Sequence, residues 1–493
     1  MSTHRRYSWR DQVDERKART VLPCGWIEPN KNSPKPLIDT LRGRQSIIVT
    51  GSRGVGKSRL IQELERSSEN HPRVISANQN PRSEDWSALT SSHISLRHWQ
   101  AMWRQLTLLS VASHVCEQLE DDTSVKIRDF LISKSVITET AQIILKHPYG
   151  MLRQIAFLME GVTEAHLKKW LQDDKWSDLE TTLRGAMKSL APIAISFDGL
   201  DLFAPRDPVL ATEAQAGLAM FLDRYAEAPI NNVHLWAALD SKALRFAEYH
   251  NNHNLSQSHS LCEIVWTSEA FRSLLNAHIR EESGGEGEGI EYLVSTRAID
   301  VLERSAEEEP ANYLMRHSSL SAGDLVYMIV NLNRHRDYLG RAMTGPEFRE
   351  QVSGLSIHVA RTRIKQAALE IVALSATPAE VTIRYSDRTS EVRLTEAAVI
   401  EKIKLMKREV FTRADFNRVF YNEWNPNTVA HLANILWANR LITVRTSSPG
   451  CRKIHQTHLD ELRPADKRLA FNPIVGDLAE LTLERCGISF EYR

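Results

Sequence analysis

Gly51-Ser52-Arg53-Gly54-Val55-Gly56-Lys57-Ser58 decides how this chain is read. Glycine, four residues, then Gly-Lys-Ser/Thr forms a phosphate cradle when a strand precedes it and a helix follows. Ser46-Ile47-Ile48-Val49-Thr50 is a short β-branched apolar run and predicts the strand; Arg59-Leu60-Ile61-Gln62-Glu63-Leu64 has the make-up of an amphipathic helix. The glycines let backbone N–H groups wrap phosphate oxygens, and the helix N-terminus adds its partial positive charge. Contacts to phosphate are expected from Gly51, Arg53, Gly54, Val55, Gly56, Lys57, Ser58 and Arg59. Lys57 is expected to reach the β- and γ-phosphates, and the Ser58 hydroxyl to hold Mg²⁺. The stretch predicts a nucleoside triphosphate site.

A second anchor lies downstream. Ala191-Pro192-Ile193-Ala194-Ile195-Ser196-Phe197-Asp198 is an apolar strand ending in an acid. Placed next to the first strand in a parallel sheet, Asp198 would stand at the carboxyl edge beside the phosphates and help hold Mg²⁺. Val233–Leu239 predicts a third strand, ending in Asp240-Ser241. Asp240 reads either as a γ-phosphate sensor or as a cap for the next helix, since Asp and Ser both cap well. Arg245, in that helix, reads either as an arginine finger acting across a subunit boundary or as an exposed salt-bridging residue. The guanine-reading Asn-Lys-x-Asp motif appears at no suitable strand end, which favours ATP.

Composition bounds the alternatives. A chain of 493 residues predicts two to four domains. Hydrophobic residues at 42% and charged residues at 25% are ordinary for a soluble protein. Lys+Arg 62 against Asp+Glu 62 leaves no global field to draw the chain to nucleic acid or membrane. The five cysteines are scattered without a Cys-x-x-Cys pair, which argues against a zinc site and a secreted disulfide framework. Residues 1–20 are charged and lack an apolar core, and no run approaches membrane-span length, so a cytoplasmic protein with no membrane contact is expected.

Four regions follow. Residues 1–39 read as an N-terminal arm, with Trp26 either stacking on a base or anchoring the arm. Residues 40–266 read as the nucleotide core, with Arg73–Ala77 as a further strand and a helical insertion over about 94–190 in which Trp99 and Trp103 are expected in the core. Residues 267–375 read as a helical domain interrupted by Ser283–Gly289, a loop flexible by composition. In residues 376–493, Val381–Arg384 and Glu391–Leu394 predict a hairpin. Ala397–Arg408, Thr412–Phe420 and Asn427–Arg440 predict three helices, and Leu441–Arg445 a strand, the order of a winged helix. Its third helix has few cations, although Lys402, Lys404, Lys407, Arg408, Arg413, Arg418, Arg445, Arg452 and Lys453 lie near in sequence. DNA binding, which needs phosphate contacts, and protein binding both remain open. Arg334, Arg336 and Arg341 read as a solvated helix face.

Assembled, these pieces resemble P-loop ATPases of the AAA+/STAND superclass, and among them bacterial origin-recognition-like ATPases with a C-terminal winged helix. The resemblance rests on Gly51–Ser58, Asp198-Gly199-Leu200-Asp201, Ile264-Val265-Trp266-Thr267 and Arg316–Asp324. It implies an α/β fold: a P-loop NTPase parallel sheet with a helical insertion, a helical lid and a winged-helix domain. AAA+ enzymes place Glu directly after the Mg²⁺ acid, where this chain has Gly199. Asp-Gly-Leu-Asp is similar to the STAND form, which makes Asp201 the candidate catalytic base alongside Lys57; the other reading of Asp201 is a cap. Related lids carry an arginine that reaches the γ-phosphate; Ser321–Asp324 has none, leaving Arg316. The resemblance implies slow turnover, with ATP and Mg²⁺ switching self-association and engagement of DNA or a protein effector, and associates such chains with bacterial defence or mobile-element systems. The alternative is a non-catalytic, nucleotide-bound DNA-binding regulator.

Overall fold

A computed structural model describes residues 41–51, 54–65, 72–75, 95–134, 147–152, 164–200, 208–251, 255, 260–264, 268–302, 306–318 and 321–376. In the C-terminal part it describes 384–385, 388–389, 396–406, 410–421, 432–433, 435–437, 439–444, 451–454, 468–471 and 489–492. The arm (1–39) and the Ser52–Arg53 pair lie outside the described residues. The chain divides into two compact units. Described residues of Cys24–Gly51 and Lys57–Glu263 belong to one, those of Ser52–Gly56 and Ile264–Arg493 to the other.

The first unit is built on five parallel strands: β1 Ser46–Gly51, β2 Arg73–Ile75, β3 Ile193–Phe197, β4 Val233–Asp240 and β5 Leu261–Glu263, in spatial order β2-β3-β4-β1-β5. Every residue of β1 and β3 is buried, as an unbroken apolar run requires in a covered parallel sheet. The expected adjacency of β1 and β3 is wrong. β4 lies between them, pairing Ile48 with Ala237 on one side and Ile195 with Leu235 on the other. Pairing order is set by long-range packing and has no local sequence signal.

Around the sheet run α1 Lys57–Glu65, α2 Leu96–Gln118, α3 Asp122–Ser133, α4 Glu164–Leu171, α5 Lys175–Ala186, α6 Pro208–Glu227 and α7 Ser241–Asn251. Among the described residues, α2 to α5 lie between β2 and β3 in the chain. Ser95 starts α2 with a capping box to His98, and the Asp121 carboxylate accepts from the Ser124 amide to start α3. Trp99 and Trp103 are fully buried, and Trp103 Nε1 donates to the Ala214 carbonyl on α6 at 2.7 Å. At Gly217 a Cβ would fall on that of Trp99 and within 2.9 Å of its carbonyl carbon, so glycine permits the close approach of α6 to α2.

In the second unit α8 Ser268–Glu282 leads through Ser283–Gly289 to a small antiparallel pair, β6 Ile299–Leu302 and β7 Ala306–Glu308. Then come α9 Pro310–His317, α10 Ala322–Leu339 and α11 Gly345–Ala376. The glycine-rich stretch is a turn closed by hydrogen bonds. Gly285 N–H caps the Arg280 carbonyl at 2.8 Å, and Gly287 N–H donates to Ser283 Oγ at 2.9 Å. Its glycines supply the left-handed backbone at Gly284 and Gly285 that ends α8.

Farther on, the described part of the hairpin is β8 Arg384–Tyr385 paired antiparallel with β9 Arg388–Thr389. α12 Glu396–Leu405, β10 Val410–Thr412 and α13 Arg413–Tyr421 follow. α13 begins one residue later than expected because Thr412 caps it: Thr412 Oγ1 accepts from Asp415 N–H at 3.0 Å while Asp415 accepts from Thr412 N–H at 3.1 Å. Within the expected third helix, 432–433 and 435–437 are helical. β11 Ile442–Val444 and β13 Arg468–Phe471 form a three-stranded antiparallel sheet with β10, in the order β10-β13-β11. β12 Cys451–Ile454 pairs in parallel with β14 Ser489–Tyr492. Among the described residues, no helix is long and apolar enough to cross a membrane.

Candidate functional site

β1 ends at Gly51, and the chain turns through backbone that side-chain-bearing residues rarely adopt: φ is +148° at Gly51, +80° at Gly54 and +105° at Gly56. α1 then starts at Lys57, and its Leu60, Ile61 and Leu64 side chains are buried. Lys57 is buried, and its Nζ donates to the Gly51 carbonyl at 2.9 Å, closing the turn across its own base. Ser58 Oγ donates to Asp198 Oδ1 at 2.9 Å. The same carboxylate oxygen accepts from Gly199 N–H at 2.8 Å, where φ is +77°. A hydroxyl from the start of α1 and a carboxylate from the end of β3 thus meet although β4 separates their strands. This is a donor set suited to Mg²⁺, which takes one or two protein oxygens and completes its shell with phosphate and water. Among the described residues there is no cluster of three or more His, Cys, Asp or Glu that would hold a metal by protein ligands alone.

Residues from the insertion, which showed no chemistry in sequence, brace this carboxylate. Tyr149 OH donates to the Asp198 carbonyl at 3.0 Å, and His147 Nε2 to the Ser196 carbonyl at 2.7 Å. Their rings pack at a centroid distance of 4.7 Å, with Phe197 against both. Burial pushes the His147 imidazole down to about 4, against the opposing pull of its bond to Ser196. Ser196 Oγ in turn donates to Glu65, at the end of α1. Burial pushes the Glu65 carboxyl up, the Ser196 hydroxyl opposes that, and the charge of Asp198 adds to it. Nothing local in the sequence marks the contact of His147 and Tyr149 with the end of β3.

The remaining expected residues are placed as follows. Arg59 pairs with Glu63 on the same helix at 3.5 Å, with its carboxylate buried. Asp240 is the last residue of β4, and its Oδ1 accepts from Lys242 N–H at 3.0 Å, the cap geometry for α7. Arg245 is in the middle of α7. Arg53 and Asp201 lie outside the described residues. Arg316 is buried inside the second unit, bonded through Nε to Glu308 at 2.9 Å and lying over the Tyr313 ring at 4.7 Å. Reaching a phosphate would require it to leave that pair. Of the other cations, Arg418 pairs with Asp415, Arg341 with Glu347, and Arg336 lies over the Tyr292 ring at 3.7 Å.

Within the second unit the loop tip has partners of its own. Gly323 N–H, in the first turn of α10, donates to the Gly54 carbonyl at 2.8 Å. Ser321 caps α10 through Asp324 N–H and approaches so closely that a Cβ at Gly54 would overlap its hydroxyl. Asp324 pairs with Arg363 of α11, which also donates to the Asn439 carbonyl at 3.2 Å. Arg440 is buried beside them with φ +57°; burial first, and the Arg363 charge next, push it down to about 9 against the pull of Asp324. Gly54, Asp324, Arg363 and Arg440 line a cavity of about 300 Å³. Comparison with known proteins finds no matching family model, no matching curated protein and no matching solved structure.

Proposed function

We propose that this chain is an Mg²⁺-dependent ATPase switch of the P-loop type, with a winged-helix module near its C-terminus. The observation that carries the reading is the hydrogen bond from Ser58 Oγ to Asp198 Oδ1 beside the Gly51–Lys57 turn. Bound Mg²⁺ would neutralise phosphate charge and supply electrophilic stabilisation. The chain's own residues do the rest. The turn's N–H groups and Lys57 hold the phosphates, Ser58 and Asp198 carry the metal, and Tyr149 and His147 fix the strand end that presents Asp198. Asp201 is the proposed orienting group for water, and slow turnover follows from Gly199 at the position that commonly supplies a carboxylate. A switch role is supported by the run of contacts from Gly54 through Ser321 and Asp324 to Arg363 and the Asn439–Arg440 turn that enters β11. That run gives phosphate at the loop tip a route to the C-terminal module, which would engage DNA or a protein effector, with self-association of the chain.

The test is steady-state ATP hydrolysis by wild type and Lys57→Ala, with and without duplex DNA, at low and moderate salt. Turnover that depends on Lys57 and rises with DNA supports the full reading. Lys57-dependent turnover indifferent to DNA makes the effector a protein. Unchanged turnover in Lys57→Ala overturns the assignment. Nucleotide binding with no turnover in wild type would replace it with the non-catalytic regulator, a reading favoured only by Gly199.

A further inference from the structure

A cavity of about 740 Å³ lies in the first unit between α2, α5 and α6, well within the size of small-molecule sites. It lies at the end of the sheet opposite the phosphate turn. Gly51 pairs in register with Asp240 at the carboxyl end of β4. The cavity is instead bounded by the last turns of α6 and by Ala228 and Ile230, which lead into the amino end of β4 at Val233. Eight residues of extended chain separate the two ends, roughly 23 Å at strand rise.

The cavity's chemistry is one-sided. Four arginines line it, Arg97, Arg104, Arg184 and Arg224, against a single carboxylate, Glu180. Glu180 holds two of them in place: Arg184 bonds it at 2.6 Å, Arg104 bonds its other oxygen, and Arg184 is further fixed to the Ala228 and Pro229 carbonyls. Arg97 and Arg224 are exposed and have no ion-pair partner among the described residues. The floor is apolar, made by Leu108, Met220, Phe221 and Ile230, all buried. Into it faces Thr107, 1% exposed, whose Oγ1 has no hydrogen-bond partner. A buried hydroxyl without a partner is costly in a finished core, and it marks a place where a ligand atom would be satisfied.

The geometry points to a second binding site, for a small phosphorylated molecule with an apolar or aromatic body. The phosphate meets the arginines, whose planar forks suit its oxygens. The body lies on Phe221, Met220 and Leu108, and a polar atom of it reaches Thr107. The site is separate from the phosphate turn and does not rest on the ATPase reading.

The experiment uses the full chain and 1-naphthyl phosphate as probe, followed by naphthyl fluorescence, with 1-naphthol and inorganic phosphate as comparators. One saturable site is expected in wild type, retained in Lys57→Ala and weakened about tenfold or more in Arg97→Glu/Arg224→Glu, as loss of charge-assisted contacts implies. Both arginines are exposed, so the double reversal leaves the fold intact, and far-UV circular dichroism checks that. Naphthol and phosphate alone should bind more weakly than the combined probe. No saturable binding up to about 1 mM, where net affinity falls to about 4 kcal/mol, would overturn the site. So would unchanged affinity in the double reversal, or loss of binding in Lys57→Ala, which would place the probe in the phosphate turn.

Discussion

Acidification should destabilise the end of β3, and His147 should be responsible. Its Nε2 faces the Ser196 carbonyl at 2.7 Å, so that nitrogen carries the hydrogen; its Nδ1 accepts from Tyr149 N–H at 3.2 Å. A second ring proton would sit on Nδ1, aimed at an amide that donates. Burial, opposed by the bond to Ser196, brings the folded value to about 4, below the ordinary 6.5. Between those values the unfolded chain binds a proton that the folded chain refuses. Stability falls as pH drops from 6.5 and levels off below 4. The whole shift corresponds to about 3 kcal/mol, of which about 2 kcal/mol is lost between pH 7 and pH 5. Urea unfolding of wild type and His147→Gln, followed by near-ultraviolet circular dichroism, tests this, because Trp103 and Tyr149 report at a ring separation of 6.2 Å. Glutamine offers one N–H donor and one acceptor oxygen without titrating in this range. A chain of two units need not unfold in one step, so the quantity compared is the pH dependence of the transition that carries the aromatic signal. Wild type should lose about 2 kcal/mol more than the variant over those two pH steps. Equal pH dependence in the two proteins would refute the reasoning.

Other perturbations follow from the same contacts. Ser58→Ala and Asp198→Asn should each weaken Mg²⁺-dependent nucleotide binding by about tenfold or more while leaving metal-free binding nearly unchanged, as loss of one oxygen ligand predicts; calorimetric titration with and without Mg²⁺ separates the two. Gly217→Val should cost about 1–3 kcal/mol through overpacking against Trp99, read as a lowered thermal midpoint. Gly54→Ala should loosen the Gly323–Gly54 bond, because the methyl would overlap Ser321 Oγ and the backbone there is left-handed; faster amide exchange at Gly323 is the readout. Glu65→Gln should flatten a second pH dependence of opposite sign. The Glu65 carboxyl titrates higher folded than unfolded, so wild type loses stability as pH rises from 4.5 through that raised value, and the variant should not.

Local chemistry made several elements legible. The runs at Ser46–Thr50, within Ala191–Asp198 and at Val233–Leu239 are strands because each is apolar, β-branched or aromatic and bounded by Gly, Pro or Asp, signals that need no knowledge of neighbours. The Ser58–Asp198 contact spans 140 residues and could be anticipated only because the motif at its first end fixes what its second end must supply. What stayed hidden depends on distant partners. His147 and Tyr149 reach β3 across 49 residues with no motif at either end. Asp240 as a cap, Arg59 with Glu63 and Arg316 with Glu308 show charged residues engaged by near neighbours, a competition that residue type alone does not decide. Ser283–Gly289 shows the converse: glycine content signals the freedom of the backbone, whereas the bonds that close the turn come from Ser283 and Arg280.

The interposed strand has a consequence for how such a site tolerates change. The strands that lead to Ser58 and Asp198, β1 and β3, are set apart by two interstrand spacings, about 9.6 Å, and by the twist accumulated over two pairings, yet the two side chains meet at 2.9 Å. β4 thus acts as a spacer that fixes how the ends of β1 and β3 bring the hydroxyl and the carboxylate together. Its central residues, Ala237 and Ala238, are small and buried and stand on opposite faces of the sheet, so a bulkier side chain at either would press on the layer covering that face and shift the strand without touching Ser58 or Asp198. Variation in an inert strand would then retune metal affinity, and a comparison of such chains that looked only at the loop and the acid would miss the cause.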